Sequence, residues 1–281
     1  MATPTRQPFE LEGADSGTLR GDVWTAGSGA GRPAVVVCHG FKGFKDWGFF
    51  PPLAERLARA GMTVVMFNFS GSGVGPDGER FTEVQRFARA TVSNDLADLE
   101  HVTAALTTGT LVNGLAVPTA LGVHGHSRGG AVGILFVAAH PECRALVTWS
   151  AISSLVRWDD ATIAEWRRVG RLDVVNSRTG EVLPLDTTYL DDLDRYGPDR
   201  VERAARTVRV PWLMLHGDAD ETVPIEEALR LREWADPSVA TLETVAGGTH
   251  TLGARHPWAG TTDELERAFG RTVEWFGRYL M

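Results

Sequence analysis

The sequence predicts an α/β fold in which a mostly parallel sheet carries helices on both faces. Short apolar runs rich in β-branched residues, such as residues 34–38, alternate along the chain with longer segments of helical periodicity. These runs are continuously apolar, which is typical of strands buried on both faces of a parallel sheet. A length of 281 residues with 43% hydrophobic content suits one large domain, or one domain with an insertion.

The first third of the chain predicts a hairpin followed by strand–helix units. Residues 9–12 and 19–24 flank the turn sequence Ala-Asp-Ser-Gly and predict an antiparallel hairpin at a sheet edge. The buried strand at 34–38 is followed by a helix, because apolar residues recur with helical spacing over 47–60 and Gly61 closes the segment. Residues 62–67 form the next apolar run, and a glycine-rich loop spans 70–78. One long helix is expected at 81–107, where apolar residues share a face.

The alternation of strands and helices continues to residue 151, is interrupted over residues 152–207 and then resumes. Strands are expected at residues 117–123 and 145–149, with a helix at 129–139 between them. No long apolar strand is found in 152–207, where we expect a helix at 156–169, an exposed hairpin formed by 172–175 and 181–183, and short helices at 187–196 and 198–206. The alternation then returns with strands at 211–215 and 239–245 and helices at 225–235 and 262–279.

This break predicts a division of the domain. Residues 1–151 and 208–281 are expected to form the α/β core, and residues 152–207 a cap inserted over the carboxyl edge of the sheet. A cap is favoured because ligands of open α/β sheets bind at that edge. An ordinary surface extension is the alternative.

Composition excludes several classes of function. A net charge of −8 offers no basic stripe for nucleic acid, and no apolar run approaches the length of a membrane span. The polar start of the chain lacks the apolar core of a signal peptide, so we expect a soluble cytoplasmic protein without a membrane partner. The two cysteines, Cys38 and Cys143, are expected to be buried free thiols. A homodimer is left open.

The segment that organises the chemistry is Gly-His-Ser-Arg-Gly at residues 125–129, a G-x-S-x-G match between the strand at 117–123 and the helix at 129–139. In a strand–turn–helix context, this motif raises a strained serine above the sheet, here Ser127, while the glycines allow strand and helix to approach closely. The alternative is a glycine-rich helix start that Ser127 caps.

A serine hydroxyl needs a neighbouring base, and histidine suits this role because its pKa is near neutrality. His250 follows the last strand in the sequence Gly-Gly-Thr-His, which would return it to the carboxyl edge beside Ser127. His256 is the alternative base. The other histidines are expected to be structural, and His126 should pack beside Ser127 without aiming its ring at the hydroxyl.

A carboxylate must orient the base, and it should follow the strand at 211–215. The sequence His-Gly-Asp-Ala-Asp-Glu-Thr-Val-Pro at 216–224 offers three carboxylates. Asp220 is preferred because it lies beyond the strand end, just before a helix that starts after proline. Asp218 is expected to cap the turn through its own backbone.

The oxyanion of a tetrahedral intermediate needs N–H donors that already point at it. One donor is expected to be the backbone N–H of Arg128, directly after the nucleophile, and the other that of Phe41, in the loop His-Gly-Phe after the first long strand. The only lysines of the chain, Lys42 and Lys45, flank this loop. They would either attract an acidic group of the substrate or form a surface pair with Asp46.

Together, the motifs Gly-His-Ser-Arg-Gly-Gly, His-Gly-Phe-Lys-Gly-Phe, His-Gly-Asp-Ala-Asp-Glu-Thr-Val-Pro and Gly-Gly-Thr-His resemble the α/β-hydrolase family. Within it, the chain is similar to bacterial carboxylesterases of the cinnamoyl/feruloyl-esterase type and to serine-aminopeptidase-like hydrolases. The resemblance implies an α/β-hydrolase fold with a small cap before the strand that precedes the acid. It also implies hydrolysis of a small-molecule ester through an acyl-enzyme, with no metal or cofactor.

Three further points concern specificity. Trp149, Trp158 and Trp166 are candidates for lining an acyl or aryl pocket, although aromatic residues at helical spacing more often serve in packing. Within this resemblance, a serine at the motif, rather than aspartate, argues against dehalogenase or epoxide-hydrolase chemistry. The alternatives to an esterase are a peptidase or other amide hydrolase on the same residues, and an inactive binding protein that has kept the fold.

Overall fold

In the computed structural model, which describes residues 3–27, 31–176 and 180–281, the chain forms an eight-stranded sheet and a separate two-stranded sheet. The strands are β1 (Pro4–Glu12), β2 (Thr18–Ala26), β3 (Ala34–Cys38), β4 (Thr63–Asn68), β5 (Leu121–His126), β6 (Cys143–Trp149), β7 (Arg171–Val175), β8 (Val182–Asp186), β9 (Trp212–Gly217) and β10 (Ala240–Val245). The large sheet has the order β1-β2-β4-β3-β5-β6-β9-β10, and β7 pairs with β8. Pairing is antiparallel at β1–β2 and β2–β4 and parallel in the rest of the large sheet.

Helices cover both faces of this sheet. They are α1 (Phe50–Arg59), α2 (Val84–Ala88), α3 (Val92–Thr107), α4 (Arg128–Ala139), α5 (Asp160–Val169), α6 (Thr188–Tyr196), α7 (Arg200–Thr207), α8 (Ile225–Trp234) and α9 (Asp263–Leu280). A Cβ atom on Gly122 of β5 would meet Phe276 of α9, whereas one on Gly133 of α4 would meet Val123 of β5. Because successive residues of a strand point to opposite faces, α4 and α9 lie on opposite sides of the central strand β5.

The predicted fold class is confirmed, and most predicted elements differ from the observed ones only by a few residues at their ends. The predicted helix at 81–107 is wrong, because it is two helices, α2 and α3. Thr91 interrupts it in an extended conformation, and its side chain accepts a hydrogen bond from Asn94 N–H at the start of α3. The strand predicted at 117–123 begins later, at Leu121, and extends into the serine motif. Of the hairpin turn expected at 176–180, residues 177–179 lie outside the described part of the chain.

The connection between β6 and β9 contains α5, β7, β8, α6 and α7, and none of these joins the large sheet. We call residues 152–207 the cap segment, after the sequence prediction. Its first residues are tied to α8, because the buried Glu227 accepts hydrogen bonds from the N–H and Oγ of Ser153, both 2.6 Å long, and from Arg157 at 2.5 Å. Hydrogen bonds of this charge-assisted kind are the stronger ones in proteins, so this end of the cap segment is firmly attached.

Two smaller predictions can be compared with the structure. Cys38 and Cys143 are buried free thiols, as expected. Within the three described ranges, no helix combines the length and the apolar character that crossing a membrane requires.

His124, in the middle of β5, is a fully buried polar side chain without a hydrogen-bond partner at either ring nitrogen in the described chain. Its ring packs against that of Trp149, with 4.9 Å between the ring centroids. An unpaired buried polar group costs about 1–3 kcal/mol. We therefore expect His124→Leu to raise the free energy of unfolding by an amount in this range, measured by urea denaturation at pH 7.5. An unchanged or lower free energy would contradict this account.

The same side chain makes stability depend on pH. Burial lowers the pKa of His124 from 6.5 to about 3, so the unfolded chain takes up a proton over this range and the folded chain does not. The contribution to stability is complete above pH 6.5 and declines by about 1.4 kcal/mol per pH unit as the pH falls toward 3. His124→Leu should flatten this decline between pH 6 and 4. Parallel pH profiles for the two proteins would show that another group causes it.

Candidate active site

Ser127 lies in the sharp turn between β5 and α4, with φ 57° and ψ −121°, a region that residues other than glycine rarely adopt. The neighbouring glycines make the turn sterically feasible. A Cβ atom on Gly125 would come within 2.2 Å of the carbonyl oxygen of Gly129, and one on Gly129 within 2.4 Å of that of Cys38. The motif therefore has the strand–turn–helix context that was predicted for it.

His250 and Asp220 are in hydrogen-bond contact across two loops. His250 Nδ1 donates to Asp220 Oδ2 at 2.9 Å, while Asp220 Oδ1 accepts from the N–H groups of Thr222 at 3.0 Å and Val223 at 2.8 Å. Burial would raise the pKa of Asp220, but the His250 and Val223 hydrogen bonds outweigh burial and hold this pKa below its usual value. Asp220 is therefore an ionised carboxylate that fixes one nitrogen of His250.

Asp218 has a different role from the one expected. Its Oδ1 accepts a hydrogen bond from Gly247 N–H at 2.6 Å, so it braces the loop that leads to His250, and the prediction that it caps its own turn is wrong. Asp220 is the carboxylate that accepts from its own turn. The two loops also touch directly, since a Cβ atom on Gly217 would lie 1.9 Å from the carbonyl oxygen of Gly248.

His126 packs beside Ser127, as expected, and is connected to His250. Its Nε2 donates to the backbone carbonyl of His250 at 2.8 Å, and the two ring centroids are 4.7 Å apart. Burial, together with the charge of a protonated His250, holds the pKa of His126 well below its usual value. His126 is thus a neutral donor that anchors the backbone of His250. His256, the alternative base, does not line the cleft that contains Ser127; its ring packs against Phe44 and Trp47, and its Nδ1 accepts a hydrogen bond from Gly48 N–H at 3.2 Å.

One cleft brings together three of the residues predicted from the sequence, Phe41, Ser127 and His250. It is lined by Gly40, Phe41, Gly43, Trp47, Phe50, His126, Ser127, His250 and Thr251. Trp47, Phe50 and Thr251 were missed from the sequence. Trp47 and Phe50 fall in the segment with helical periodicity, where large apolar residues indicate packing, and no local signal separates a cleft wall from a core position.

The loop after β3 approaches the serine closely. A Cβ atom on Gly40 would lie 3.0 Å from Ser127 Cβ, so only glycine fits there without displacing the turn. His39 fixes the loop from below: Nδ1 donates to the Gly40 carbonyl at 2.9 Å, and Nε2 accepts from Phe69 N–H at 3.2 Å. The loop that carries the Phe41 N–H is thus held rigidly beside Ser127.

The two lysines beside this loop, Lys42 and Lys45, make different contacts. Lys45 is buried and forms ion pairs with Asp22 and Asp46, so the expected pair with Asp46 exists but is not a surface pair. Lys42 Nζ donates to the carbonyl of Val175 in β7 at 2.8 Å. It therefore connects the loop to the cap segment, and the prediction that Lys42 attracts an acidic substrate group stays a prediction.

The three candidate tryptophans divide into two groups. Trp149 is 1% exposed, donates from Nε1 to Thr272 Oγ1 of α9 at 3.0 Å, and packs on Phe49 and Phe269. Trp149 is therefore a core residue between α9 and Phe49, and, like Trp158 and Trp166, it does not line the cleft that contains Ser127. Trp158 and Trp166 contact each other in the cap segment, where their ring centroids are 5.1 Å apart, and Tyr189 completes the cluster. Their role in substrate binding stays a prediction.

Within the described ranges, no three His, Cys, Asp or Glu side chains lie together in a way that could hold a metal ion. Ser127 brings a hydroxyl to the cleft, and His250 brings an imidazole that is hydrogen-bonded to a carboxylate. The roles predicted for the backbone N–H groups of Phe41 and Arg128 stay predictions. An imidazole fixed in this way can activate an oxygen nucleophile.

A family model and one named relative each match more than half of this chain. The family model described as alpha/beta hydrolase fold matches residues 33–188. Monoglyceride lipase from Rattus norvegicus is 27% identical over 294 residues, a match that covers 91% of this chain and 88% of the lipase.

Solved structures are similar over nearly the whole chain. Est1E from Butyrivibrio proteoclasticus with bound ferulic acid superposes with a TM-score of 0.74 at 20% identity, covering 95% of this chain and 98% of Est1E. Dienelactone hydrolase from Anabaena variabilis gives a TM-score of 0.66 at 18% identity, covering 99% and 100% of the two chains. At such identities these likenesses establish a common fold.

Proposed function

The chain belongs to the α/β-hydrolase family, whose model matches more than half of it, and on this premise we propose that it is a serine hydrolase that cleaves carboxylic esters. The observation that carries the proposal is the 2.9 Å hydrogen bond between His250 and Asp220 in a cleft that Ser127 shares with His250. The order serine, acid, histidine along the chain also agrees with this family.

In the proposed first step, Ser127 Oγ attacks the carbonyl carbon of the ester while His250 Nε2 takes the hydroxyl proton. Asp220 holds His250 in the tautomer with hydrogen on Nδ1, which leaves Nε2 free to accept, and stabilises the imidazolium that forms. The tetrahedral intermediate then expels the alcohol, to which His250 returns the proton. Water, deprotonated by His250, attacks the acyl-enzyme, and collapse of the second intermediate releases the acid and restores Ser127.

The backbone N–H groups of Phe41 and Arg128 are proposed to hold the oxyanion in both intermediates. Two features support this role. Gly40 brings the Phe41 loop against Ser127, and Arg128 opens α4, where N–H groups and the positive end of the helix dipole face the reacting atoms. Losing one such donor typically lowers the rate by about 10²–10³.

The proposed substrates are small-molecule esters with a short acyl, aryl or hydroxycinnamoyl group. The lipase and esterase names of the relatives support ester chemistry. The test is to compare p-nitrophenyl acetate and butyrate with aminoacyl p-nitroanilides at equal concentration. We expect kcat/KM to be at least 100-fold higher for the esters, since an amide has the poorer leaving group. Faster cleavage of the anilides would assign the chain to the peptidases.

His126 allows a prediction about the orientation of the base. His126→Leu removes the hydrogen bond to the His250 carbonyl, and His126→Gln retains a donor near the same position. One hydrogen bond contributes about 0.5–1.5 kcal/mol, so we expect kcat for p-nitrophenyl butyrate to fall by about two- to tenfold in the leucine variant. The glutamine variant should recover most of this loss. Equal activity of the two variants would show that the contact does not position His250.

A further inference from the structure

The Arg128 side chain is buried between the reaction site and the cap segment. It is 7% exposed, its Nη2 contacts Asp95 Oδ2 of α3 at 2.5 Å, and it also donates to the Thr91 carbonyl at 3.4 Å. A guanidinium that is buried and paired in this way has a fixed position. Because Arg128 is the first residue of α4, its side chain and the N–H proposed to bind the oxyanion are parts of one residue.

Two aromatic rings contact this guanidinium. Its Cζ atom lies 5.3 Å from the ring centroid of Phe41, the residue proposed to supply the second oxyanion donor, and 5.5 Å from that of Tyr189 in α6 of the cap segment. Cation–π contacts are stronger between desolvated groups than between exposed ones. Arg128 therefore joins the residue of the second donor, Phe41, to the cap segment.

Tyr189 is itself held firmly within the cap segment. It is 2% exposed, its hydroxyl donates to the Leu155 carbonyl at 3.2 Å, and its ring is stacked on Trp166 with 6.0 Å between centroids. Lys42, next to Phe41, makes a second connection from the same loop to the cap segment through Val175.

From these contacts we propose that the cap segment positions the oxyanion-binding groups through Arg128, and that Tyr189 is a positioning residue for hydrolysis. This inference rests on the proposed function, because it presupposes that an oxyanion forms at Ser127. The cap segment then contributes to the chemical step itself, in addition to any contact that it makes with the substrate.

The role predicts a particular kinetic effect. The oxyanion exists only in the tetrahedral states, so misplacing its donors lowers kcat and leaves KM nearly unchanged. The loss of a wall that only binds substrate would instead raise KM. p-Nitrophenyl acetate is the suitable substrate, because its acetyl group minimises contacts with the cap segment.

The experiment compares three variants with the wild type at pH 8, where Asp95 is ionised although burial raises its pKa to about 6. Tyr189→Leu removes the ring, and Tyr189→Phe retains it. Tyr196→Leu is the matched control, because Tyr196 lies in the same helix and its ring contacts Arg200. We expect Tyr189→Leu to lower kcat at least tenfold with KM within threefold of wild type, while the other two variants stay within twofold in both constants.

A transition-state analogue supplies an independent readout. A trifluoromethyl ketone adds to Ser127 and places an oxyanion at the same donors, so its affinity should fall in Tyr189→Leu by the same factor as kcat. The pH midpoint of kcat should stay unchanged, because His250 and Asp220 are not altered. Arg128→Lys retains the charge without the planar group and should also lower kcat at least tenfold; it replaces Tyr189→Leu if that variant does not fold.

Two results would overturn the inference while leaving the proposed function intact. One is a wild type that hydrolyses the ester and a folded Tyr189→Leu variant with kcat within twofold of it. The other is a change confined to KM, which would assign Tyr189 to substrate binding. If Tyr189→Leu does not fold, unchanged kcat in Arg128→Lys has the same meaning. A folded wild type without hydrolase activity would refute the proposed function itself, and the inference with it.

Discussion

Replacement of Ser127 by alanine is expected to lower kcat for ester hydrolysis by about 10⁴-fold or more, because no other group can form the acyl-enzyme. Alanine lacks only the hydroxyl and keeps the backbone turn, so the variant should fold and retain its affinity for a substrate analogue. The measurement is kcat for p-nitrophenyl butyrate, with circular dichroism as the check on folding. A folded Ser127→Ala variant with more than a hundredth of wild-type kcat would contradict the assignment of the nucleophile.

Ser127→Gly separates the strain of the turn from the chemistry. The positive φ of Ser127 costs of order 1–3 kcal/mol, a cost that glycine avoids, although glycine loses about 0.4–1 kcal/mol through the freedom of the unfolded chain. We expect Ser127→Gly to be more stable than Ser127→Ala by about 1 kcal/mol in urea denaturation, and equally inactive. A less stable glycine variant would mean that the turn stores no strain.

Asp220→Asn is expected to lower kcat by about 10³–10⁴-fold with little change in KM. The asparagine oxygen can still accept from the N–H groups of Thr222 and Val223, so the turn should keep its form. Its amide would then face His250 Nδ1 as a donor, which favours the tautomer with hydrogen on Nε2 and leaves no base for Ser127. The measurement is the pH profile of kcat, in which the variant should regain part of its activity only at high pH.

Asp218→Asn is the matched control for this variant. Asp218 is an exposed carboxylate two residues away, and its contact with Gly247 N–H can be kept by an amide oxygen. We expect kcat within about threefold of wild type. If Asp218→Asn were the inactive variant and Asp220→Asn the active one, the assignment of the acid would be reversed.

Much of the sheet was predictable because each strand is marked in the sequence by a short apolar run. Residues 34–38 are continuously apolar and β-branched, and the structure has a strand with the same bounds, fully buried. The turn at Ser127 was predictable for a related reason. Strand and helix approach each other so closely there that a side chain at position 125 or 129 would overlap the backbone, and the sequence has glycine at both positions. The pairing of Asp220 with His250 followed from where their strands end, not from any contact visible in the sequence.

The remaining features depend on partners that are distant in the chain. Lys45 appeared to be a surface residue, because nothing local indicates that Asp22 on β2 would meet it in the interior. The hydrogen bond from His126 to the His250 carbonyl depends on a loop that lies 124 residues away in the sequence. The break between α2 and α3 was missed because Thr91 interrupts a periodicity that continues on both sides of it.

The central claim is that Ser127 is a nucleophile activated by His250, and labelling with a fluorophosphonate tests it most directly. The probe forms a stable bond only with an activated serine, and digestion followed by mass spectrometry locates the adduct. We predict stoichiometric labelling of Ser127 in the wild type, and labelling at least 100-fold slower in a folded His250→Ala variant. Folded wild-type protein that takes up no label, or carries it on another residue, would contradict the account.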